Sequence, residues 1–153
     1  MKKINKRYIL LFNLFIFFST PIFSNEDIKF LSLKNSEVNL RLGPSFEYPI
    51  KLTYNKKYLP IIILDKSETW RKIKDFENNC GWIHISQLSK KKSALNIEKN
   101  SLLYKKPTIY SKPIVKLENG RLVLINKCKI KWCKVTSGNY SGWIIKSSLW
   151  GKT

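Results

Sequence analysis

Cysteine and histidine are the residue types in this sequence that could supply a nucleophile, a base or a metal ligand; there are three cysteines and one histidine. Cys80 and His84 stand four residues apart in a predicted strand, where positions an even number apart share a face. One interpretation is therefore the thiol–imidazole pair of a small hydrolase. No obvious third group orients the pair, and a reactive thiol needs an electropositive, accessible pocket. The residues favour the other interpretation, a surface histidine near a structural cysteine in a protein that is not an enzyme.

The two remaining cysteines, Cys128 and Cys133, fit a disulfide better than a metal site. A zinc site needs four ligands at recognisable spacing, and one histidine with three scattered cysteines does not provide them. If strand ends flank a tight turn between the two, their sulfurs can meet across a hairpin. The alternative is two separate buried thiols. We expect the disulfide, no metal and no cofactor, and Cys80 is then left free or available for an intermolecular bridge.

The N-terminus predicts a secretory signal peptide over residues 1–24. A basic start, residues 1–7, precedes the apolar run Tyr8–Phe18, and the expected cleavage follows Ser24. An uncleaved membrane anchor is the alternative, although a spanning helix needs about 18–20 apolar residues, more than this run contains. We therefore expect an exported protein, in the periplasm or associated with the cell envelope, where an oxidising environment favours the disulfide.

The composition is strongly basic, with 29 Lys and Arg against 10 Asp and Glu and a formal net charge of +19. Residues 1–7 hold only four of the basic side chains, so the charge belongs to the mature part. Such an excess bears on the partner's charge rather than on the fold. In an exported protein we expect a wall polymer or another anionic envelope surface as the partner, and no nucleic acid in vivo. Lysine clusters can instead form a solvated surface that protects strand edges; they lie at Lys56-Lys57, Lys90–Lys92 and Lys105-Lys106.

The mature sequence contains an internal repeat, with copies over Asn39–Leu88 and Leu102–Leu149. The matched positions are Leu40 with Leu103, Pro44 with Pro107, Pro49 with Pro113, Trp70 with Trp132, and Gly81-Trp82-Ile83 with Gly142-Trp143-Ile144. We therefore predict two domains, over residues 30–90 and 91–153.

Each copy is predicted to consist of short β-strands. In the first copy Val38–Arg41 alternates apolar and polar residues, and Tyr58–Leu64 is a β-branched apolar run. Trp70–Lys74 and Cys80–Ile85 complete the predicted strands, with a tight turn at 77–79 between them. Strands this short and this close, without a helical period, favour a small barrel or sandwich.

These motifs resemble the bacterial SH3-like domains of exported proteins. The first copy carries Asn39-Leu40-Arg41-x-Gly43-Pro44, Tyr48-Pro49, Trp70-Arg71-x-Ile73 and Gly81-Trp82-Ile83-His84-x-x-x-Leu88. The second is a degenerate partner with Leu103-Tyr104, Trp132-Cys133-x-Val135, Gly142-Trp143-Ile144 and Leu149-Trp150-Gly151. The resemblance implies an all-β fold of two small SH3-like barrels in tandem, each five-stranded and partly open, following the signal peptide. It also implies a non-catalytic module that binds peptidoglycan or its peptides.

The tryptophans are the best candidates for ligand contact in such barrels. By analogy with SH3 domains, Trp70 lines a groove for an extended peptide, and His84 falls where signalling SH3 domains carry a groove proline. The candidate ligand-binding residues are Tyr48, Trp70, Trp82, His84 and Trp132. For Trp82 and Trp143 the alternative is barrel core or a cover over an open barrel end. Gln87, where a groove tyrosine is expected, argues against polyproline recognition.

Two binding functions follow from this interpretation. The first is a module that recognises peptidoglycan, or another component of the cell envelope, through an aromatic groove around Trp70. The second is an adaptor or assembly protein that binds an envelope protein, using the exposed edge of one barrel. Retention on isolated sacculi distinguishes the first from the second.

Overall fold

The computed structural model describes residues 28–151; the predicted signal peptide lies outside this range. The described residues form short strands joined by turns, with single turns of 3-10 helix at Ile85–Gln87 and Lys146–Ser148. The strands are β1 (Phe30–Leu33), β2 (Val38–Arg41), β3 (Ile50–Tyr54), β4 (Pro60–Ser67), β5 (Trp70–Lys74), β6 (Cys80–His84), β7 (Leu88–Ser89), β8 (Ser93–Asn96), β9 (Ser101–Tyr104), β10 (Pro113–Leu117), β11 (Leu122–Cys128), β12 (Trp132–Ser137), β13 (Tyr140–Ile145) and β14 (Leu149–Gly151). Within residues 28–151, no helix is long and apolar enough to cross a membrane.

The strands form two antiparallel sheets of identical connectivity. The first has the order β3-β2-β6-β5-β4-β1-β7, and the second has the order β10-β9-β13-β12-β11-β8-β14. Adding seven to each strand number of the first sheet gives the second. The sheets therefore confirm the all-β fold class and the tandem repeat. We call the two units the first and second barrel.

Each barrel has its own core, built from the inward-facing positions of alternating strands. In the first barrel, Leu40, Ile73 and Ile83 are fully buried within one cluster. In the second, Leu103 and Val135 occupy the corresponding positions on β9 and β12. Because strand positions alternate between two faces, the residues next to these core positions point to the outer face of each barrel.

Strand prediction succeeded where the sequence alternates cleanly. Val38–Arg41 and Trp70–Lys74 are strands with the predicted bounds, and Asn78 in the predicted turn has a positive φ of 66°. The resemblance implied five strands per barrel, whereas each sheet has seven. In the first barrel β1 pairs with both β4 and β7, and the two-residue strand β7 forms one edge of the sheet.

The predicted disulfide between Cys128 and Cys133 is confirmed. The two residues face each other directly across the β11–β12 hairpin, and their Cα atoms are 4.0 Å apart. Cys133 is fully buried in the second core, and Cys128 packs against that core from the end of its strand. The bond therefore ties the hairpin to the core, while Cys80 is a free, partly buried thiol.

Trp150 makes the aromatic contacts between the two barrels. Trp150 of β14 packs edge-on against Phe30 and Phe76 of the first barrel, with ring centroids 5.2 and 5.3 Å apart. Beside these rings, the Lys56 ammonium donates a hydrogen bond to the carbonyl of Gly120 at 3.2 Å. A single aromatic side chain thus accounts for both ring contacts between the barrels.

Replacing Trp150 by alanine should therefore loosen the barrels from each other. We expect the free energy of unfolding to fall by about 2 kcal/mol, since two edge-on aromatic pairs and the buried ring area are lost. Trypsin should also cut faster at the connector lysines, Lys90–Lys92. The control is Tyr140→Ala, which removes an exposed ring. Equal stability and equal cleavage rates in the two variants would contradict the role given to Trp150.

Candidate ligand-binding groove

The tryptophans of the first barrel lie on the outer face of its sheet rather than in the core. Trp70 is three positions before the core residue Ile73, and Trp82 directly precedes the core residue Ile83, so both point away from the core. In the sheet register Trp70 faces His84 across β5 and β6. The alternating pattern therefore places an aromatic pair on the outer surface.

Phe46, from the loop between β2 and β3, completes this pair to an aromatic cluster. Its ring centroid lies 4.9 Å from that of Trp70 and 5.5 Å from that of His84, and the Trp70 and His84 centroids are 5.3 Å apart. Trp70 is only 6% exposed, whereas Phe46 is 65% exposed. Trp70 is therefore the floor of a groove, and Phe46 is its accessible wall.

Arg41 holds the loop that carries Phe46. Its Nη1 donates hydrogen bonds to the carbonyls of Phe46 and Tyr48, at 3.0 and 2.7 Å, and its guanidinium lies 5.7 Å from the Phe46 ring centroid. Both hydrogen bonds use one nitrogen, so the guanidinium retains other N–H groups for a ligand. Arg41 thus combines loop support with a positive charge at the rim of the groove.

Ser86 holds the imidazole of His84 through one of its two ring nitrogens. Its Nδ1 lies 2.8 Å from the hydroxyl of Ser86 and also accepts a hydrogen bond from the backbone N–H of Ser86. Because Nδ1 is engaged, Nε2 is the ring nitrogen left to meet a ligand.

The groove is small and has polar sides. Its cavity is about 140 Å³, below the several hundred Å³ of sites that enclose a small molecule. A groove of this size fits one unit of a longer chain, such as a side chain or a sugar. Its lining is Glu37, Val38, Asn39, Arg41, Phe46, Trp70, His84 and Gln87.

The structure brings together two of the five predicted site residues, Trp70 and His84. Tyr48 borders the groove through its backbone carbonyl, while its ring packs on Gly43, where a Cβ would lie only 2.6 Å from it. Trp82 lies two positions before His84 on β6, where it faces Lys72 on β5 and Arg41 on β2. Trp132 belongs to the second barrel. Their contact with a ligand stays a prediction.

Sequence reasoning missed Phe46 and the role of Arg41. The alternation of β2 held a signal for Arg41, because Leu40 is a core position and its neighbour must point outward. Phe46 lies in a loop, where no period shows which way a side chain points. Only the folded loop shows that its ring turns back onto Trp70.

The second barrel has a different surface at the corresponding place. Trp132 again lies beside an aromatic ring, that of Tyr104, with centroids 5.7 Å apart. In the register, however, Ile145 faces Trp132, as His84 faces Trp70 in the first barrel. Tyr104 faces Trp143, as Arg41 faces Trp82. The cavity here is larger, about 380 Å³, but it lacks both the guanidinium and the imidazole.

Trp143 is buried on the outer face, not in the core. It is 9% exposed, and the ammonium groups of Lys127 and Lys129 lie 5.8 and 5.5 Å from its ring centroid. Two lysine side chains therefore cover the ring of Trp143 on the outer face of the barrel, through cation–π contacts.

Cys80 and His84 are not brought together. They lie four positions apart on β6, a separation of about 13 Å along a strand, and Trp82 stands between them on the same face. The Cys80 thiol instead donates to the carbonyl of Asn78 at 3.6 Å. Over residues 28–151, no group of three His, Cys, Asp or Glu side chains is arranged to hold a metal ion.

A larger cavity, about 510 Å³, lies between the barrels and contains a buried carboxylate. Asp75 is 4% exposed and accepts hydrogen bonds from the Tyr54 hydroxyl at 2.9 Å and from the backbone and side-chain nitrogens of Asn79 at 2.8 and 2.9 Å. Burial, and then the hydrogen bond to Asp75, raise the pKa of Tyr54 well above its usual value. Both carboxylate oxygens are engaged within the barrel, so we assign this cluster a structural role.

Comparison with known proteins places the chain in a family. The model of a family described as a bacterial SH3 domain matches residues 34–90 and, a second time, residues 98–151. The chain belongs to the bacterial SH3 domain family. The double match confirms that both barrels are SH3-like and that they stand in tandem. A search of the curated proteins gives no match.

A search of solved structures finds partial matches to longer chains. NlpC2 from Trichomonas vaginalis is 13% identical with a TM-score of 0.38, and the alignment covers 84% of this chain and 50% of that one. NlpC1 from the same organism is 13% identical with a TM-score of 0.37, over 82% and 46%. An NlpC/P60 family protein from Bacillus cereus is 13% identical with a TM-score of 0.36, over 80% and 56%. The SH3 chain spans about half the length of these proteins.

Proposed function

We propose that this protein is an exported, non-catalytic module that binds peptidoglycan through the groove of its first barrel. The observation that carries the proposal is the cluster of Phe46, Trp70 and His84 beside Arg41. It combines an exposed aromatic wall, a buried aromatic floor and a positive rim in a groove sized for one unit of a polymer.

The chemistry of the groove suits a peptide or glycan that bears carboxylates. Aromatic faces pack against sugar rings and peptide planes, and the free N–H groups of Arg41 can pair with a carboxylate in a directional way. Glu37, Asn39 and Gln87 add carboxylate and amide groups that can meet amines and hydroxyls. The second barrel lacks the arginine and the histidine, so we assign recognition to the first.

Export is supported by two features. The signal peptide predicted over residues 1–24 provides a route, and the Cys128–Cys133 disulfide is typical of an oxidising compartment. A basic protein in the envelope meets anionic polymers, so its charge raises the local concentration of the protein at the wall.

A binding role fits better than a catalytic one because the thiol and the imidazole are separated. The backbone positions of Cys80 and His84 are about 13 Å apart along β6, and Trp82 lies between them on the same face. The thiol and the imidazole therefore cannot exchange a proton directly. Replacing Cys80 by serine should therefore leave retention on the wall unchanged.

The proposal is tested by co-sedimentation with purified sacculi over a salt series, comparing the protein without residues 1–24 with its Phe46→Ala variant. Phe46 is largely exposed, so its removal spares the core, unlike a change at the buried Trp70. We expect wild-type retention to survive about 0.3 M salt, where charges are screened within roughly 5–6 Å, and to fall at least ten-fold in Phe46→Ala. The matched control is Leu64→Ala, another exposed apolar residue of the first barrel.

Two results would contradict the proposal. Retention that decays with salt equally in the wild type and both variants would reduce the interaction to charge. Absence of retention, with cross-linking of the protein to one envelope protein, would favour the adaptor function instead. The exposed Ile50 on β3, at the edge of the first sheet, marks where such a partner could pair.

A further inference from the structure

Two loops of the second barrel expose apolar side chains to solvent. Ile130, at the apex of the β11–β12 turn, is 93% exposed. In the loop between β9 and β10, Tyr110 is also 93% exposed and Ile109 is 57% exposed. We call the turn 129–131 and the loop 105–112 together the second-barrel tip.

The two parts of the tip start from neighbouring residues. The loop 105–112 begins directly after Tyr104, and the turn 129–131 ends directly before Trp132. The rings of Tyr104 and Trp132 are in contact, with centroids 5.7 Å apart. In the first barrel the corresponding loop reaches the counterpart of Trp132, because Phe46 contacts Trp70. The shared topology therefore places the loop 105–112 and the turn 129–131 beside the same tryptophan.

The backbone of the tip is constrained by the disulfide and by hydrogen bonds. The disulfide closes the base of the turn, and within it the backbone N–H of Lys129 bonds to the carbonyl of Trp132 at 2.7 Å. The loop is fixed by its own hydrogen bonds, among them the backbone N–H of Lys106 to the hydroxyl of Ser111 at 2.9 Å. Neither segment packs its exposed side chains against the core.

Lysines flank these apolar residues, and neither segment of the tip contains an acidic residue. The exposed lysines of the tip whose ammonium groups make no cation–π contact are Lys105, Lys106, Lys112 and Lys131, while Lys129 lies against Trp143. The acidic residues of the second barrel, Glu98 and Glu118, lie outside it, since Glu98 precedes β9 and Glu118 follows β10. Both therefore lie at the ends of β9 and β10 opposite the loop 105–112. The tip combines positive charge with exposed apolar surface.

The first barrel shows that the fold does not require this combination. Its corresponding loop contains Glu47, and its Phe46 folds back onto Trp70. Its corresponding turn is Glu68-Thr69, polar and acidic. The same scaffold thus carries a ligand groove in one copy and an outward-pointing apolar tip in the other.

We propose that the second-barrel tip docks on the surface of an anionic lipid bilayer. The ring of lysines matches the charge of acidic headgroups, and each lysine near such a surface strengthens binding about five-fold. Ile109, Ile130 and the amphipathic Tyr110 then enter the interface between headgroups and acyl chains. A hydrated wall polymer matches the charge but offers no apolar layer for these side chains, which favours lipid as the partner.

Vesicle binding tests this proposal with the protein lacking residues 1–24, because the apolar run of the signal peptide would itself bind lipid. Vesicles of phosphatidylcholine mixed with phosphatidylglycerol should sediment the wild-type protein, and vesicles of phosphatidylcholine alone should not. Ile130→Ser and Tyr110→Ser leave the charge unchanged and should each weaken binding about ten-fold. Leu64→Ser, an equivalent change on the first barrel, should bind as the wild type does.

Since the replaced residues are exposed, each variant should keep the wild-type melting temperature, which confirms that it is folded. Lys106→Glu combined with Lys131→Glu should abolish binding to the charged vesicles. Equal binding by wild type, Ile130→Ser and Tyr110→Ser would overturn the proposal, because charge alone would then account for the attraction. Failure to bind vesicles, with an effect of Ile130→Ser on sacculus retention, would overturn it in favour of a wall polymer.

Discussion

Replacing Gly81 by alanine is expected to lower the free energy of unfolding by about 3 kcal/mol, whereas the same change at Gly142, its counterpart in the second barrel, should cost about 1 kcal/mol. Neither glycine has a positive φ. The expected cost therefore comes from the space around the new methyl group alone.

The two sites differ in what the methyl group meets. At Gly81 a Cβ would lie 2.7 Å from the carbonyl oxygen of Arg41 and 2.7 Å from Cγ of Leu40, a fully buried core residue. At Gly142 the nearest atoms, Cβ of Leu103 and the carbonyl oxygen of Tyr104, are 3.0 Å away. A shift of a few tenths of an ångström relieves the second contact, but the first requires β2 to move away from β6.

Urea denaturation of the two alanine variants measures this difference. Arg41 lies on β2, so a displacement of β2 would also move the Arg41 side chain at the rim of the groove. Gly81→Ala should therefore also weaken retention on sacculi, while Gly142→Ala should not. Equal losses of stability would contradict the packing argument. Sacculus binding should be measured under conditions in which Gly81→Ala is still folded. If this destabilised variant then binds as the wild type does, the position of Arg41 is not needed for binding.

The sequence was sufficient for the fold because its signals were local and repeated. The alternation in Val38–Arg41 and the Gly-Trp-Ile motif each occur at a strand, and their second copies confirmed the spacing. Strand β3 was missed, although Ile50, Leu52 and Tyr54 alternate along it. The disulfide was predictable since a separation of five residues fits a hairpin, and the predicted export made oxidation favourable.

The candidate site was only half predictable. Trp70 and His84 lie on strands, where register places them opposite each other, so their meeting follows from strand pairing. Phe46, by contrast, contacts them through the path of a loop, which alternation cannot reveal. The buried cluster of Asp75 had no signal either, because a lone aspartate before a turn usually remains solvated.

Tyr54→Phe is expected to destabilise the protein by about 2 kcal/mol at neutral pH. The tyrosine hydroxyl donates a 2.9 Å hydrogen bond to the buried carboxylate of Asp75, and a bond to such a group is worth about 1.5–3 kcal/mol. Phenylalanine fills the same volume, so the loss reports the hydroxyl. The N–H groups of Asn79 still bind the carboxylate in the variant, which limits the effect.

The difference between wild type and Tyr54→Phe should shrink at alkaline pH. Burial, followed by the hydrogen bond to Asp75, raises the pKa of Tyr54 in the folded protein, while the unfolded chain ionises near the ordinary tyrosine value of about 10. A group whose pKa is raised on folding contributes its full stability below the unfolded pKa and loses it as the pH rises above that value. Above about pH 10 the advantage of the wild type should therefore fall by about 1.4 kcal/mol per pH unit.

Denaturation of both proteins at neutral pH and at about pH 11 measures this change, because the other titrating groups are common to both and cancel in the difference. Tyr140→Phe is the matched control: its ring is 51% exposed, so we expect its effect to be small and the same at both pH values. A difference for Tyr54→Phe that stays constant over this interval would show that the folded protein does not hold the hydroxyl protonated. The cluster of Tyr54, Asp75 and Asn79 would then contribute packing alone.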